Sequence, residues 1–183
     1  ALCTLSAVNL GKINQVGDIE EPAELIVRAL DALLDYQDYP VKAAENGSMR
    51  RRTLGVGVIN YAYYLAKNGV RYSDDSALGL THQTFEALQY YLLKASNKLA
   101  KEQGACPAFN ETTYSQGVLP IDTYKRELDD VCSEPLMFDW EALRAEIVEH
   151  GLRNSTLTAL MPSETSSQLA NATTGIEPPR GLV

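Results

Sequence analysis

The pattern of apolar and polar residues predicts three amphipathic helices, at residues 22–36, 81–103 and about 139–150. In each segment apolar side chains recur every three or four positions, the spacing that places them on one side of a helix. Each helix is therefore expected to bury one face against the rest of the fold. The inward-facing residues are Ile26, Leu30, Leu33 and Leu34 in the first helix, Phe85, Leu88, Leu92, Ala95 and Leu99 in the second, and Trp140, Leu143 and Ile147 in the third.

Residues at the helix ends support these boundaries. Pro22 suits the first turn of a helix, and the side chain of Asp139 is of the type that caps one. Gly104 and Gly151 follow the last turns of the second and third helices, where glycine commonly ends a helix.

Three shorter segments alternate as strands do, at residues 1–10, 54–58 and 157–161. Gly55 and Gly57 interrupt the second segment, and their lack of a side chain permits close backbone packing. Strands separated by long helices indicate an α/β fold with parallel strands.

Composition and charge exclude some partners. The 183 residues carry a net charge of −8, opposite in sign to the basic face typical of nucleic-acid-binding proteins. No apolar run approaches the ~20 residues that span a bilayer. We therefore expect neither nucleic acid nor a membrane as a partner. The one basic cluster, Arg50–Arg52, lies beside the glycine-rich strand, and a solvated turn is favoured there over a phosphate site.

Cysteine and histidine residues give no metal-binding pattern. Cys3, Cys106 and Cys132 show no CxxC spacing, and His82 and His150 are isolated. Neither a disulfide framework nor a metal site is predicted, and a reducing cytoplasm is the expected compartment. Cys3 taken alone fits a small buried strand residue, because redox chemistry needs a second thiol nearby.

The segment "PSETSSQ" at residues 162–168 is the most distinctive polar cluster. Pro162 ends the preceding strand, and a short helix is expected to begin within the hydroxyl residues. Free amide groups in the first turn of a helix attract anions, so the cluster fits a phosphate site. A simple helix cap by Ser163 or Thr165 is the alternative, and spacing alone favours the cap.

Several stretches, taken in order, resemble one enzyme family over essentially the whole chain. They are "ALCTLSAVNLG", "ALDALLDYQDYP", "RRTLGVGVINYAYYLAK", "EALQYYLLKASNKLAKEQGACP", "LRNSTLTALMPSETSSQ" and "NATTGIEPPRG". The family is the large catalytic subunit of bacterial class Ia ribonucleoside-diphosphate reductases. The resemblance implies that residues 1–183 are an internal segment of its catalytic domain without a domain boundary. The implied fold is a ten-stranded α/β barrel, of which this segment forms part of the second half.

The resemblance also implies the chemistry. The family replaces the 2′-hydroxyl of a ribonucleoside diphosphate with hydrogen by thiyl-radical chemistry, and a cysteine pair supplies two electrons. Cys3 matches one member of that pair. The second member of the pair and the radical cysteine are not among residues 1–183. The loop that grips the substrate diphosphate matches Ser163, Glu164, Thr165, Ser166 and Ser167. Residues 1–183 alone are therefore expected to be inactive.

The family resemblance further implies partners that the chain itself does not contain. These are a small subunit with a diiron-tyrosyl radical, thioredoxin or glutaredoxin as reductant, a second copy of the parent subunit, and ATP or dNTP effectors that bind elsewhere in the parent. The chain itself is expected to bind no cofactor. Two alternatives remain open on the residues alone: a non-catalytic interaction module, and an unrelated phosphate-binding α/β enzyme.

Overall fold

The computed structural model describes residues 4–179, and its two strands pair in parallel. Strand β1 spans Leu5–Asn9 and strand β2 spans Gly55–Ile59, with Leu5 beside Gly55 and Asn9 beside Ile59. The long connection between them contains helices, as a parallel pair requires. This arrangement confirms the α/β class predicted from the alternation of strand and helix patterns.

The segment predicted as a third strand follows β2 only briefly. The amide of Val56 donates to the carbonyl of Leu157 at 2.8 Å, and the amide of Ala159 donates to the carbonyl of Val56 at 3.2 Å. Thr158 and Val56 form a single parallel bridge. The ladder is short because the chain then crosses the face of β2. The carbonyl oxygen of Ala159 lies only 2.3 Å from where a Cβ atom on Gly57 would stand.

Six α-helices surround the strands within residues 4–179, and none of them combines the length and apolar composition that a membrane span requires. Short 3₁₀ turns lie before α1 and between α4 and α5. The helices are α1 (Glu20–Tyr36), α2 (Lys42–Arg51), α3 (Tyr61–Lys67), α4 (Asp75–Gln103), α5 (Trp140–His150) and α6 (Glu164–Leu169).

The three predicted helices are confirmed as α1, α4 and α5, with earlier starts for two of them. Helix α1 begins at Glu20 rather than Pro22, and α4 begins at Asp75 rather than Thr81. Helix α5 begins as predicted, because the carboxylate of Asp139 accepts a hydrogen bond from the amide of Ala142 at 2.9 Å.

One face of the two strands packs against α1 and α4. Val8, Val56 and Val58 point to this side and belong to the same apolar core as the buried stripes of both helices. Leu33 was predicted to point inward but is 47% exposed. It lies roughly a quarter turn from the centre of the buried stripe that Val27, Leu30 and Leu34 form, at about 100° per residue.

Helices α1 and α4 run parallel to each other. Three ion pairs join them, and in each pair the partners are 74 positions apart in sequence. Residue numbers therefore rise in the same direction on both helices, as expected for two helices on one side of a parallel sheet. The pairs are Glu20–Lys94 at 2.6 Å, Glu24–Lys98 at 2.7 Å and Arg28–Glu102 at 2.6 Å.

The basic cluster Arg50–Arg52 is not a solvated turn. Arg50 and Arg51 form the last turn of α2 and face Glu111. Arg52 adopts a left-handed backbone conformation with φ 48°, and its side chain is only 4% exposed. That interpretation was therefore wrong for Arg52, which is drawn inward by two aspartates of α1, Asp31 and Asp35.

Candidate functional site

The carboxyl ends of the strands converge on one region of the molecule. Strand β1 ends at Asn9 and β2 ends just before Asn60, whose side-chain amide donates to Asn9 Oδ1 at 3.0 Å. The third strand-like segment, residues 157–161, is followed by Pro162 and then by the start of α6. Ligands of open parallel sheets bind outside the carboxyl ends of the strands. The cluster of hydroxyl residues at 163–167 therefore lies where this architecture places a ligand.

The five residues of this cluster, which we call the hydroxyl loop, fall into two groups by burial. Ser163 and Ser167 are buried, at 4% and 1% exposure, whereas Glu164, Thr165 and Ser166 are exposed. The two buried serines mark the ends of the loop. The exposed residues between them form the part of the loop that a ligand can reach.

The two buried serines brace the loop from within. Ser163 Oγ accepts a hydrogen bond from the amide of Gly175 at 2.8 Å, and Ser167 Oγ lies 3.2 Å from Thr174 Oγ1. Ser163 occupies the N-cap position of α6 but makes no side-chain bond to its own helix. The side-chain cap that spacing favoured is therefore wrong for Ser163, because its hydroxyl is engaged by a distant segment.

The exposed turn presents donors to solvent. Glu164, Thr165 and Ser166 are the first residues of α6, and the first-turn amides of a helix have no carbonyl partner within it. The Thr165 hydroxyl is exposed beside them, whereas Ser166 Oγ reaches back to the carbonyl of Ser163 at 3.2 Å. Neutral donors in this arrangement suit an oxyanion ligand.

A returning segment, residues 173–176, lies behind the hydroxyl loop. The amide of Thr173 donates to Asn60 Oδ1 at 3.0 Å, and the Tyr72 hydroxyl donates to the carbonyl of Ile176 at 2.9 Å. Burial raises the pKa of the Tyr72 hydroxyl, which further favours its protonated, donating form. Sequence reasoning did not find Asn60. The sequence does contain a signal for this position: an asparagine stands directly before a helix, and asparagine tolerates the positive φ that a sharp turn into the helix can require.

A cleft of about 310 Å³ opens next to the loop. Its walls come from the end of the third segment and from the returning segment, and Pro162, Thr174, Gly175 and Glu177 are among its lining residues. The hydroxyl loop and the cleft share the returning segment as a common wall, so a ligand bound at the loop has room to extend.

Other candidate residues do not join this region into a metal or acid–base centre. Cys3 lies outside the described residues. His150 ends α5, as predicted for a histidine near the negative end of a helix, with its Nε2 3.8 Å from Glu146. Within residues 4–179, no three or more histidine, cysteine, aspartate or glutamate side chains are grouped to hold a metal ion.

Comparison with known proteins gives a consistent result. The sequence model of the family described as "Ribonucleotide reductase, barrel domain" matches residues 1–183. The ribonucleoside-diphosphate reductase subunit alpha of Haemophilus influenzae is 74% identical over 183 residues, which are 100% of this chain and 24% of that protein. Ribonucleoside-diphosphate reductase 1 subunit alpha of Escherichia coli is 75% identical over 150 residues, or 82% of this chain and 20% of that protein.

A more distant relative extends the comparison. The subunit alpha of Enterobacteria phage T4 is 53% identical over 184 aligned residues, covering 100% of this chain and 24% of that protein. The chain thus spans about a quarter of the length of the curated relatives it matches. Because the family match extends over its whole length, the chain belongs to the ribonucleotide reductase barrel-domain family.

Proposed function

We propose that this chain forms part of the catalytic subunit of a ribonucleoside-diphosphate reductase, in which the hydroxyl loop binds the diphosphate of the substrate. The relatives that match the whole chain carry this enzyme name. The observation that carries the proposal is the exposed first turn of α6, which lies at the carboxyl ends of the strands and is braced by the buried Ser163 and Ser167. In the whole subunit, these strands belong to the second half of a ten-stranded α/β barrel.

Diphosphate binding relies on neutral donors. The amides of Glu164, Thr165 and Ser166 and the Thr165 hydroxyl donate to the phosphate oxygens, and the positive end of α6 adds to the attraction. The carboxylate of Glu164 turns away, because it would repel the diphosphate. Ser163 and Ser167 complete the loop, and their hydroxyl oxygens hold its shape through Gly175 and Thr174.

The reductive chemistry requires residues from outside this chain. A thiyl radical removes the 3′ hydrogen of the ribose, and the 2′-hydroxyl leaves as water. Cys3 and a second cysteine then supply two electrons and become a disulfide, so that a dithiol and a ribonucleotide yield a disulfide, a deoxyribonucleotide and water.

The proposed partners follow from the family. They are a ribonucleoside diphosphate, a small subunit whose diiron-tyrosyl centre generates the radical, thioredoxin or glutaredoxin, and a second copy of the subunit. Nucleotide effectors bind elsewhere in the subunit, and the cytoplasm is the proposed compartment.

The test uses a chimeric subunit. Residues 1–183 replace the aligned segment of the Haemophilus influenzae subunit alpha, which is assayed for CDP reduction with its own small subunit. Changing both Thr165 and Ser166 to Ala is expected to raise the KM for CDP about tenfold and to leave kcat within about twofold, because the Thr165 donor to the substrate is lost and the Ser166 hydroxyl no longer braces the turn. The matched control changes two exposed hydroxyls outside the loop, Ser73 and Thr123, to Ala and is expected to leave KM unchanged.

The reducing role of Cys3 is tested in the same chimera. Cys3→Ser is expected to abolish multiple turnover with thioredoxin as reductant, because the disulfide cannot form. Unchanged steady-state turnover would remove Cys3 from the mechanism, and an unchanged KM in the Thr165 and Ser166 variant would remove the hydroxyl loop.

A further inference from the structure

We propose that Asn60 is a positioning residue for the hydroxyl loop and acts on it through the returning segment. The inference rests on the proposed diphosphate-binding function of that loop. It concerns a side chain that lies behind the loop at the end of β2. Asn60 is buried and does not belong to residues 163–167, so we infer that its effect on a ligand passes through other residues.

The backbone of Asn60 holds an uncommon conformation. Its φ is 69°, in the left-handed region, and its exposure is 8%. Asparagine is several-fold enriched there among non-glycine residues. The conformation turns the chain sharply from β2 into α3, and it leaves the Asn60 amide free to donate to the carbonyl of Thr173 at 2.8 Å.

The hydrogen bonds around the Asn60 side chain fix the orientation of its side-chain amide group, that is, which partner faces the nitrogen and which faces the oxygen. The amide of Gly11 donates to Asn9 Oδ1 at 3.0 Å, so this oxygen is identified as an acceptor. The nitrogen of Asn60 must therefore face Asn9, as it does at 3.0 Å. The oxygen of Asn60 is then left to accept the amide of Thr173 at 3.0 Å. Thr173 is thus bound twice by one residue, through its amide and through its carbonyl.

The returning segment passes this constraint on to both ends of the hydroxyl loop. Two residues after Thr173, the amide of Gly175 donates to Ser163 Oγ. Thr174 Oγ1 lies against Ser167 Oγ, and the amide of Ala172 donates to the carbonyl of Ser167 at 2.8 Å. The exposed donors lie between these two anchored serines. Asn60 therefore sets the position of the loop relative to the end of β2.

Loss of the Asn60 side chain should loosen the loop without touching the reacting atoms. Diphosphate binding depends on several donors holding one geometry, so a displaced loop binds the substrate more weakly. The radical and reducing cysteines are elsewhere, so the chemical steps keep their rates. The signature of a positioning role is a raised KM for CDP with little change in kcat.

The variant Asn60→Gly separates the side-chain role from backbone strain, because glycine accepts positive φ. In the chimeric subunit we expect it to raise the KM for CDP about tenfold and to leave kcat within about twofold, since it removes two partly buried hydrogen bonds, one to Asn9 and one from Thr173. The control is Asn68→Ala, which removes a similar bond, from Asn68 Nδ2 to the carbonyl of Tyr64 at 2.8 Å, near the other end of α3. This control should leave KM within about twofold of the unmodified chimera.

A double-mutant cycle with Ser163→Ala tests the route. If Asn60 acts through Gly175 on Ser163, the two changes weaken one chain of contacts, and their combined effect on KM is smaller than the product of the single effects. If Asn60→Gly does not fold, Asn60→Asp takes its place, since aspartate also tolerates positive φ and loses the donor to Asn9 Oδ1. In either cycle, a combined effect on KM that equals the product of the two single effects overturns the proposal.

The outcomes distinguish this inference from the proposed function. A raised KM for the Thr165 and Ser166 variant together with an unchanged KM for Asn60→Gly overturns only the role of Asn60. An unchanged KM in both overturns diphosphate binding by the loop, and the role of Asn60 falls with it. A kcat that falls as KM stays constant also contradicts positioning of the substrate diphosphate.

Discussion

The carboxylate of Asp31 accepts a hydrogen bond from Nε of Arg52 at 2.6 Å, and the two side chains are only 3% and 4% exposed. Its other oxygen accepts from Nε of Arg153 at 3.0 Å, and Asn154 Nδ2 donates to the same carboxylate at 3.0 Å. One acidic residue of α1 thereby fixes the chain entering β2 and the chain entering the third segment, which are far apart in sequence.

Replacing Asp31 with Asn is expected to lower local stability by about 3 kcal/mol, because the buried Arg52 loses a charged partner that is itself buried. Hydrogen exchange of the β2 amides in the chimeric subunit measures the effect. Asp35→Asn is the control: Asp35 also pairs with Arg52, but its side chain is 49% exposed, and a loss of about 1 kcal/mol is expected. Equal losses in the two variants would show that burial of the pair is unimportant.

Gly57→Ala tests the close crossing of the third segment over β2. A Cβ atom at this position would stand 2.3 Å from the carbonyl oxygen of Ala159, so the segment must move. We expect a loss of about 1–3 kcal/mol and faster exchange of the amides between residues 157 and 163. Gly17→Ala is the matched control, since nothing lies within 4 Å of the added atom. Faster exchange in the control as well would contradict the steric explanation.

Glu86 is expected to hold the segment before α5 against α4. Its buried carboxylate accepts hydrogen bonds from the amide of Met137 at 2.8 Å and from Trp140 Nε1 at 2.9 Å. Glu86→Ala leaves these donors without an acceptor and should cost about 3 kcal/mol, whereas Glu86→Gln keeps one oxygen and should cost about 1 kcal/mol. Exchange of the Met137 amide measures both. Similar exchange rates in the two variants would rule out this role.

Cys106 should be slow to alkylate. It is 2% exposed, and burial raises the pKa of its thiol, so less of the reactive thiolate is present at a given pH. With iodoacetamide at pH 8, we expect its rate in the chimera to be about tenfold lower than that of the partly exposed Cys132. Mass spectrometry of the separate peptides measures both rates, and equal rates would contradict the burial of Cys106.

The sequence predicted the features that depend on nearby residues. The Asp139 cap and the end of α4 before Gly104 were confirmed, because both are set within one or two helical turns. Helix α2 was missed, since its polar sequence contains Asn46 and Gly47, a pair typical of turns. The buried position of the Arg52 side chain was missed for a different reason, because its partner Asp31 lies on another helix.

The candidate site divides in the same way. The hydroxyl cluster and the helix that begins within it were visible in the sequence, and α6 begins at Glu164. The engagement of Ser163 by Gly175 was not, because periodicity carries no information about which later segment returns to a loop. The assignment of the hydroxyl loop and of Cys3 to a substrate stays a prediction from the family resemblance.

The charges of the three ion pairs between α1 and α4 follow a definite order along each helix. Along α1 the order is acidic, acidic, basic, and along α4 it is basic, basic, acidic. Sliding one helix by a full turn in one direction would bring Glu24 opposite Glu102, and in the other direction Arg28 opposite Lys98. Each exposed pair contributes little stability. Together they penalise the two nearest misalignments, so the surface charges act as a selector of helix alignment during folding.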